Sequence, residues 1–362
     1  MQMAVSTTTN RIDWIDYAKG FIVIGVCLDH ADFPCYISTF HMAAFFFISG
    51  LLFNPEKEPS LIKYVQKKWK SLLKPYFILS FFFLLLYPPL YDPSVNYVPP
   101  GIIYNILDSF KSDYLRGVMV KISIFTIDIF MGESSPDTIP LWFVYTLFQI
   151  SCVFAIIYYT CKKFTFYATA IPIICIMCFV LGWYLSKFNI KIPFKMETMI
   201  TSLSFYGMGF ISRSFMLNII KKCSIKNLSM VWLLFFICFF IGFKLIDEGC
   251  IGYIHNSLGN SFVGYLLASV FGTLSCVLCF YIISRFKIGI MAIILKQVAN
   301  NGMTILAVHF FVISCCNYFI KDKLPEWQYH CLLLFLMVII VGVSIPIFNK
   351  HLYWMIGKSK KI

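Results

Sequence analysis

Long apolar runs separated by short polar segments dominate the pattern of this chain. A helix needs about 20 apolar residues to cross a bilayer core about 30 Å thick. Because the runs are continuous and do not alternate with period two, they predict helices rather than strands. The predicted spans lie near residues 15–30, 38–53, 75–91, 139–160, 165–186, 199–216, 229–246, 261–284, 303–320 and 329–349. The pattern therefore predicts an all-α integral membrane protein with about ten transmembrane helices.

Composition agrees with this pattern and excludes the main soluble classes. Hydrophobic residues make up 59% of the chain and charged residues only 13%, whereas soluble domains carry about 25% charged residues. This low charged fraction excludes a secreted enzyme, a Rossmann domain and a soluble nucleic-acid-binding protein. We expect membrane lipid as a partner and do not expect nucleic acid.

The net charge of +13 is explained by the distribution of charge between the predicted loops. With the N-terminus inside, 21 of the 30 Lys and Arg residues lie on the inner side and 13 of the 17 acidic residues on the outer side. This distribution follows the positive-inside rule and predicts that both termini are cytoplasmic. The basic segment 54–74 is expected to form a short cytoplasmic helix before the third span, and the protein is expected in the inner cell membrane.

Charged residues in the first span are candidates for function, because charges within a bilayer are costly. Lys19 and His30 are eleven residues apart, so at about 100° per residue they share one helix face roughly 16 Å apart. Asp16 lies within about 40° of the same face. In the alternative interpretation, Lys19 reaches the lipid headgroups and Asp16 only caps the helix.

Two histidines are expected to meet at the outer end of the first two spans. His30 follows Asp29 at the end of the first span, and His41 follows a short connection and opens the second. A neutral imidazole can accept a hydroxyl proton near pH 7, which makes both rings candidate general bases. For His30 the alternative is an interfacial pair with Asp29. His309 in the ninth span is a third candidate, although a single histidine there is more commonly a packing residue.

A run of lysines precedes the third span: Lys63, Lys67, Lys68, Lys70 and Lys74. Such a run can anchor the inner leaflet, at about 1 kcal/mol per lysine near anionic lipid. It can equally bind a polyanion such as a nucleotide diphosphate or coenzyme A. No GxGxxG, P-loop, GxSxG or HExxH motif occurs, so kinases, dehydrogenases, classical hydrolases and zinc proteases have no support.

Several segments resemble a known family of membrane enzymes. The opening Arg11-Ile12-Asp13-Trp14-Ile15-Asp16-Tyr17-Ala18-Lys19-Gly20, followed by His30, resembles the opening of the acyltransferase 3 family, closest to its fucose 4-O-acetylase-like branch. Lys19 and His30 match the family's basic residue, ten intervening positions and histidine. Further similar segments are 40–53, 67–76, 141–143 and 301–309, although Ser71 stands where the family commonly has Arg.

The resemblance implies an activity and an architecture. It implies a ten-helix enzyme that takes an acyl group, usually acetyl, from cytoplasmic acyl-coenzyme A. The acceptor is a hydroxyl of a glycan or of a lipid-linked sugar, often on the far side of the membrane. Some members carry an added extracytoplasmic domain. This chain ends in a short basic tail, so we expect the stand-alone type, a single membrane acyltransferase domain over residues 1–362.

Residue roles follow from combining the pattern with the resemblance. His30 is expected to act as general base, with Asp29 or His41 orienting it or stabilising charge. Direct transfer requires no metal, and an acyl-Cys27 or acyl-His intermediate is the covalent alternative. The residues assigned to catalysis are His30, Asp29, His41 and Lys19, and those assigned to coenzyme A are Arg11, Asp16, Lys67, Lys68 and Lys70.

A rival function is the transport of a glycan or lipid-linked sugar without chemistry. Ten spans with polar groups inside them suit a transporter as well as an enzyme. The sequence has no internal repeat of the kind common in transporters. Its polar residues also cluster in the first two spans instead of spreading along a central path, which favours the acyltransferase.

Overall fold

Helices make up nearly all of the regular structure of this chain. The computed structural model describes residues 12–33, 36–86, 126–132, 139–164, 167–222, 228–245, 252–259, 261–286 and 288–359. Within these ranges the only β-type pairing is one isolated bridge between Gly252 and Ser257, and no strand forms. The all-α prediction is therefore confirmed for the part of the chain that is described.

The described helices of eight or more residues coincide with the predicted spans and with the basic segment, and one further helix appears. They are α1 (Asp13–His30), α2 (His41–Leu51), α3 (Leu61–Lys68), α4 (Lys74–Leu86), α5 (Trp142–Cys161), α6 (Tyr167–Lys187), α7 (Met196–Lys222), α8 (Leu228–Lys244), α9 (Phe262–Ile283), α10 (Ile290–Asn300), α11 (Gly302–Phe319) and α12 (Glu326–Lys350). The additional helix is α10, which begins after Gly289, a residue with φ +49°. It falls in a segment that the sequence treats as an inner loop.

Five of these helices are long and apolar enough to cross a membrane. They are α5, α6 from Ala168 onward, α9, α11 and α12, which makes this a multi-pass membrane protein. α1 is 18 residues long but contains four charged residues, and α2 and α4 have only 11 and 13 residues. The count of ten spans and the N-in, C-in topology stay predictions.

The basic segment and the third span form one helical run with a local change of winding. α3 begins at Ser60, whose hydroxyl accepts a hydrogen bond from the Lys63 backbone N–H at 3.3 Å. Residues Trp69–Leu73 form a π-helical turn, and α4 continues directly from it. Pro75 has no N–H to donate to the preceding turn, which accounts for the wider winding there. Most of the predicted long outer loop, 92–138, lies outside the described residues.

The chain divides into two compact units. Unit 1 comprises Met1–Phe53, Phe205–Tyr253 and Ser257–Gly302, and unit 2 comprises Asn54–Ser204, Ile254–Asn256 and Met303–Ile362. Unit 1 therefore contains α1, α2, α8, α9, α10 and most of α7. The prediction of one membrane domain over the whole chain stays a prediction.

The core of unit 1 is built from α1, α2, α9 and α10. Its buried members include Trp14, Ile22, Phe47, Phe280 and Leu295. Bulky side chains fill the space between helices, and glycines set how closely the helices approach. A Cβ built on Gly20 of α1 would lie 2.2 Å from the backbone oxygen of Leu295. The backbones of α1 and α10 therefore touch at this position.

A second close contact joins α2 and α7 within unit 1. A Cβ on Gly50 would lie 1.8 Å from the backbone oxygen of Tyr206, and a Cβ on Gly209 would lie 1.9 Å from that of Phe47. Small residues at helix contacts are typical of membrane proteins, where close packing rather than the hydrophobic effect holds helices together. Each helix thus presents a glycine to the backbone of the other.

Unit 2 anchors the segment after α2 to α5. The Tyr158 hydroxyl donates to the Glu56 carboxylate at 2.7 Å, and Lys162 pairs with the same carboxylate. The Tyr159 hydroxyl donates to the backbone oxygen of Pro55 at 3.2 Å. These contacts fix the start of the segment that leads into α3.

We predict that Gly50→Ala destabilises the protein, whereas Gly342→Ala does not. The new methyl group at position 50 collides with rigid backbone, and such overpacking costs about 1–3 kcal/mol. Gly342 of α12 has nothing within 4 Å of a built Cβ and is the matched control. Melting temperature in detergent, with membrane abundance as a second readout, checks both variants. Equal melting temperatures for Gly50→Ala and the wild type would contradict the close contact.

Candidate active site

α1 carries four of the predicted site residues: Asp16, Lys19, Asp29 and His30. The single continuous helix that the sequence argument assumed for Lys19 and His30 is therefore present. Asp16 and Lys19 are partly buried, and the Oδ2 atom of Asp16 has no hydrogen-bond partner among the described residues. Arg11 lies outside the described residues, so its assignment stays a prediction.

The two predicted histidines lie at the two ends of the connection between α1 and α2. His30 is the last residue of α1 and His41 the first of α2, and both are partly buried. Asp29 directly precedes His30. The assignment of Asp29, His30 and His41 to one catalytic site stays a prediction.

Backbone carbonyls determine which nitrogen of His41 carries hydrogen. Its Nδ1 atom lies 3.1 Å from the backbone oxygens of both Ile37 and Ser38. Carbonyl oxygens only accept hydrogen bonds, so Nδ1 must be the donor in this contact. In the neutral ring, Nε2 then bears the lone pair. The local fold thus holds His41 in the tautomer whose Nε2 atom is the basic nitrogen.

A contact between α9 and the residue before His41 also fixes the position of His41. The preceding residue, Phe40, is buried, and its ring packs on Gly272. A Cβ on Gly272 would lie 2.4 Å from Cγ of Phe40. Any side chain larger than hydrogen at Gly272 would therefore move Phe40 and, with it, the start of α2.

The opposite end of α1 is held by α10, which the sequence did not predict as a helix. Lys296 of α10 forms an ion pair with Asp13 at 2.8 Å, and its Nζ lies 5.5 Å from the ring centre of Tyr17. The hydrogen bond with Asp13 raises the pKa of Lys296. Lys296 is thus a basic residue beside the charged end of α1 that sequence reasoning missed, because it stands alone in an apolar segment.

The predicted coenzyme A lysines occupy three different environments in unit 2. Lys67 is ion-paired with Glu58 and Lys70 is exposed. Lys68 is partly buried, and its Nζ lies 5.5 Å from the ring centre of Tyr64. Burial lowers the pKa of Lys68, so this ammonium loses its proton at lower pH than an exposed lysine. Lys67 and Lys70 are thus exposed, whereas Lys68 is partly buried.

His309 belongs to unit 2. It is fully buried in α11, and its Nδ1 atom lies 2.8 Å from the backbone oxygen of Ile305. This local contact supports the packing role that was the alternative for His309. Among the described residues, no group of three or more His, Cys, Asp and Glu residues is placed to bind a metal ion. The expectation of a metal-free reaction stays a prediction.

A comparison with protein families decides the class of this protein. A family model described as an acyltransferase domain matches residues 12–349. The chain belongs to the acyltransferase 3 family. As a member with five helices suited to cross a bilayer, it is a membrane acyltransferase. No curated protein and no solved structure matches the chain. The fucose 4-O-acetylase-like branch stays a prediction.

We predict that His41→Ala lowers the stability of this acyltransferase and that His41→Asn does so much less. Alanine removes the hydrogen bond that Nδ1 donates to the carbonyls of Ile37 and Ser38, at about 0.5–1.5 kcal/mol. The asparagine amide places an N–H near the position of Nδ1 and keeps the bond. Melting temperatures in nanodiscs test this, with His351→Ala, at an exposed position, as the control. Equal losses for alanine and asparagine would contradict the Nδ1 contact.

Proposed function

We propose that this protein transfers an acyl group from cytoplasmic acyl-coenzyme A to a hydroxyl of a cell-surface glycan or lipid-linked sugar. Membership of an acyltransferase family supports the chemistry. The observation that carries the proposal is the pair of partly buried histidines at the two ends of the α1–α2 connection, with Asp29 next to His30 in the chain. Acetyl is the group predicted by the resemblance, and the inner cell membrane is the proposed location.

The reaction is direct attack of the acceptor on the thioester. The acceptor hydroxyl oxygen bonds to the thioester carbonyl carbon, and the carbon–sulfur bond breaks. His30 takes the hydroxyl proton as general base and returns it to the departing thiolate. The products are the acylated sugar and coenzyme A with a free thiol. Asp29 stabilises the imidazolium that forms in between, and His41 presents its Nε2 lone pair beside it.

The donor is proposed to reach this pair along α1. Asp16 and His30 are fourteen residues apart on one helix, which corresponds to about 21 Å of helical rise. The pantetheine arm follows the face that carries Lys19. The phosphates bind Lys67, Lys68 and Lys70, together with Arg11. A mobile side chain such as the exposed Lys70 suits a charged ligand that arrives from the cytoplasm.

We predict that His30→Ala lowers acyl transfer by about 10²–10⁴-fold while the protein stays folded, because a general base contributes that factor. Purified protein in nanodiscs is incubated with radiolabelled acetyl-coenzyme A and a glycan acceptor, and label on the glycan is counted. His351→Ala is the control, because this histidine is exposed and lies after α12. Transfer at the wild-type rate by folded His30→Ala protein would rule out the assigned base and leave His41 as the candidate.

We predict that Lys67→Ala/Lys70→Ala weakens coenzyme A binding about tenfold, and that Glu58→Gln strengthens it. Each lysine removed loses one charge-assisted contact with phosphate, and loss of Glu58 releases Lys67 from its ion pair. The double variant Lys321→Ala/Lys323→Ala, at exposed positions on the predicted outer side, is the matched control. Calorimetric titration with coenzyme A measures the affinities. Equal effects of the two double variants would leave only a nonspecific role for the basic segment.

A further inference from the structure

A short loop of residues 351–358 follows α12 in unit 2. Its last residue, Lys358, donates from its ammonium group to the side-chain oxygen of Asn349 at 2.7 Å. Two apolar residues of the loop, Met355 and Ile356, are only 3% and 5% exposed. The 351–358 loop is therefore held in unit 2 by two buried side chains and by a hydrogen bond to the end of α12.

This loop packs on the π-helical turn Trp69–Leu73 of the basic segment through Gly357. A Cβ built on Gly357 would lie 2.9 Å from the backbone oxygen of Lys70 and 2.8 Å from Cγ of Pro75. Gly357 has φ +69°, a conformation that glycine adopts at no steric cost. Glycine at this position therefore permits both the backbone conformation of the loop and its close contact with the turn.

The Lys70 carbonyl at this contact loses both of its possible helical donors. In an α-helix it would accept from the N–H of Lys74, but that N–H donates to the Trp69 carbonyl, five residues back. In a π-helix it would accept from residue 75, which is proline and has no N–H. Gly357 approaches this oxygen instead, and a glycine Cα–H can make a weak contact with a carbonyl. The loop thus lies at the point where the helical winding changes.

The winding of this turn determines the direction in which the preceding lysines point. A π-helical turn accommodates one residue more than an α-helical turn, and one residue corresponds to about 100° of rotation. Rewinding the turn as an α-helix would therefore rotate α3, with Lys67, by about 100° relative to α4. Lys70 lies inside the turn itself. The contact with Gly357 thus bears on the orientation of two lysines that are assigned to the donor phosphates.

We propose that the 351–358 loop is a positioning element of the donor site, which holds the π-helical turn and thereby orients Lys67 and Lys70 toward the phosphates of coenzyme A. The proposal rests on the proposed function and adds to it a segment that lies far from the basic segment in sequence. The phosphates take no part in the bond changes of the reaction. The loop is therefore expected to affect the KM for the donor and not kcat.

We predict that Gly357→Ala weakens coenzyme A binding about fivefold to tenfold, because the new methyl group collides with the Lys70 oxygen and the Pro75 ring. Gly289→Ala is the matched control. Gly289 also has a positive φ, +49°, but nothing lies within 4 Å of its built Cβ, so its affinity should equal that of the wild type. Calorimetric titration in nanodiscs measures the affinities. Kinetics with acetyl-coenzyme A should show KM raised by the same factor and kcat within about twofold.

A second variant loosens the loop while keeping every lysine. Asn349→Leu removes the oxygen to which Lys358 donates, so a smaller loss of affinity, about twofold to fivefold, is expected. Asn349→Gln keeps an amide oxygen and should bind coenzyme A nearly as well as the wild type. This pair provides the test if Gly357→Ala fails to fold.

A combined variant tests whether the loop acts through the lysines. In the Lys67→Ala/Lys70→Ala background, Gly357→Ala should add no further loss of affinity, because the side chains that the loop positions are absent. A further loss as large as that in the wild-type background would show that the loop affects binding by another route, and would overturn the positioning role.

The remaining outcomes separate this proposal from the proposed function. Unchanged affinity in both Gly357→Ala and Asn349→Leu would overturn the positioning role and leave the acyltransferase. An equal loss in Gly289→Ala would also overturn it, because general destabilisation would then explain the effect. Absence of coenzyme A binding by folded wild-type protein would overturn the donor assigned in the proposed function itself.

Discussion

Direct backbone contact between helices at glycine is the constraint on which the geometry of unit 1 depends. Gly50 and Gly209 bring α2 and α7 together, Gly20 brings α1 to α10, and Gly272 receives the ring of Phe40. In a bilayer the lipid tails are as apolar as the side chains, so close fit replaces the hydrophobic effect as the force between helices. The helices that carry both histidines are held by these contacts.

The same low-polarity environment explains the state of His41. Backbone carbonyl oxygens need hydrogen-bond donors away from water. In the short helical turn before α2, the Nδ1–H group of His41 donates to the carbonyls of Ile37 and Ser38. One requirement of backbone folding therefore also fixes the ring and leaves Nε2 with its lone pair. His41 thus has a structural role and a proposed chemical role. Variants of His41 therefore require measurements of both stability and activity.

Ion pairs already engage charged residues in the two segments assigned to the donor phosphates, the start of α1 and the basic segment. Asp13 and Lys296 neutralise each other beside α1, and Glu58 neutralises Lys67 before α4. A polyphosphate that binds here competes with carboxylates already in place, which weakens binding but selects for a ligand of high charge. Exposed ion pairs of this kind contribute little to stability. In the proposed function, these pairs tune the affinity for the phosphates of the donor.

The sequence by itself determined the helical membrane class, because long apolar runs leave the chain few alternatives. Its resemblance in motif segments, such as the one with Lys19 and His30, determined the family. Tertiary structure alone decided that His309 is fully buried, that Lys67 is already paired, and that α10 forms against Gly20. It also placed the 351–358 loop on the π-helical turn of the basic segment. Such features depend on contacts between residues distant in the chain, which hydrophobic periodicity does not encode.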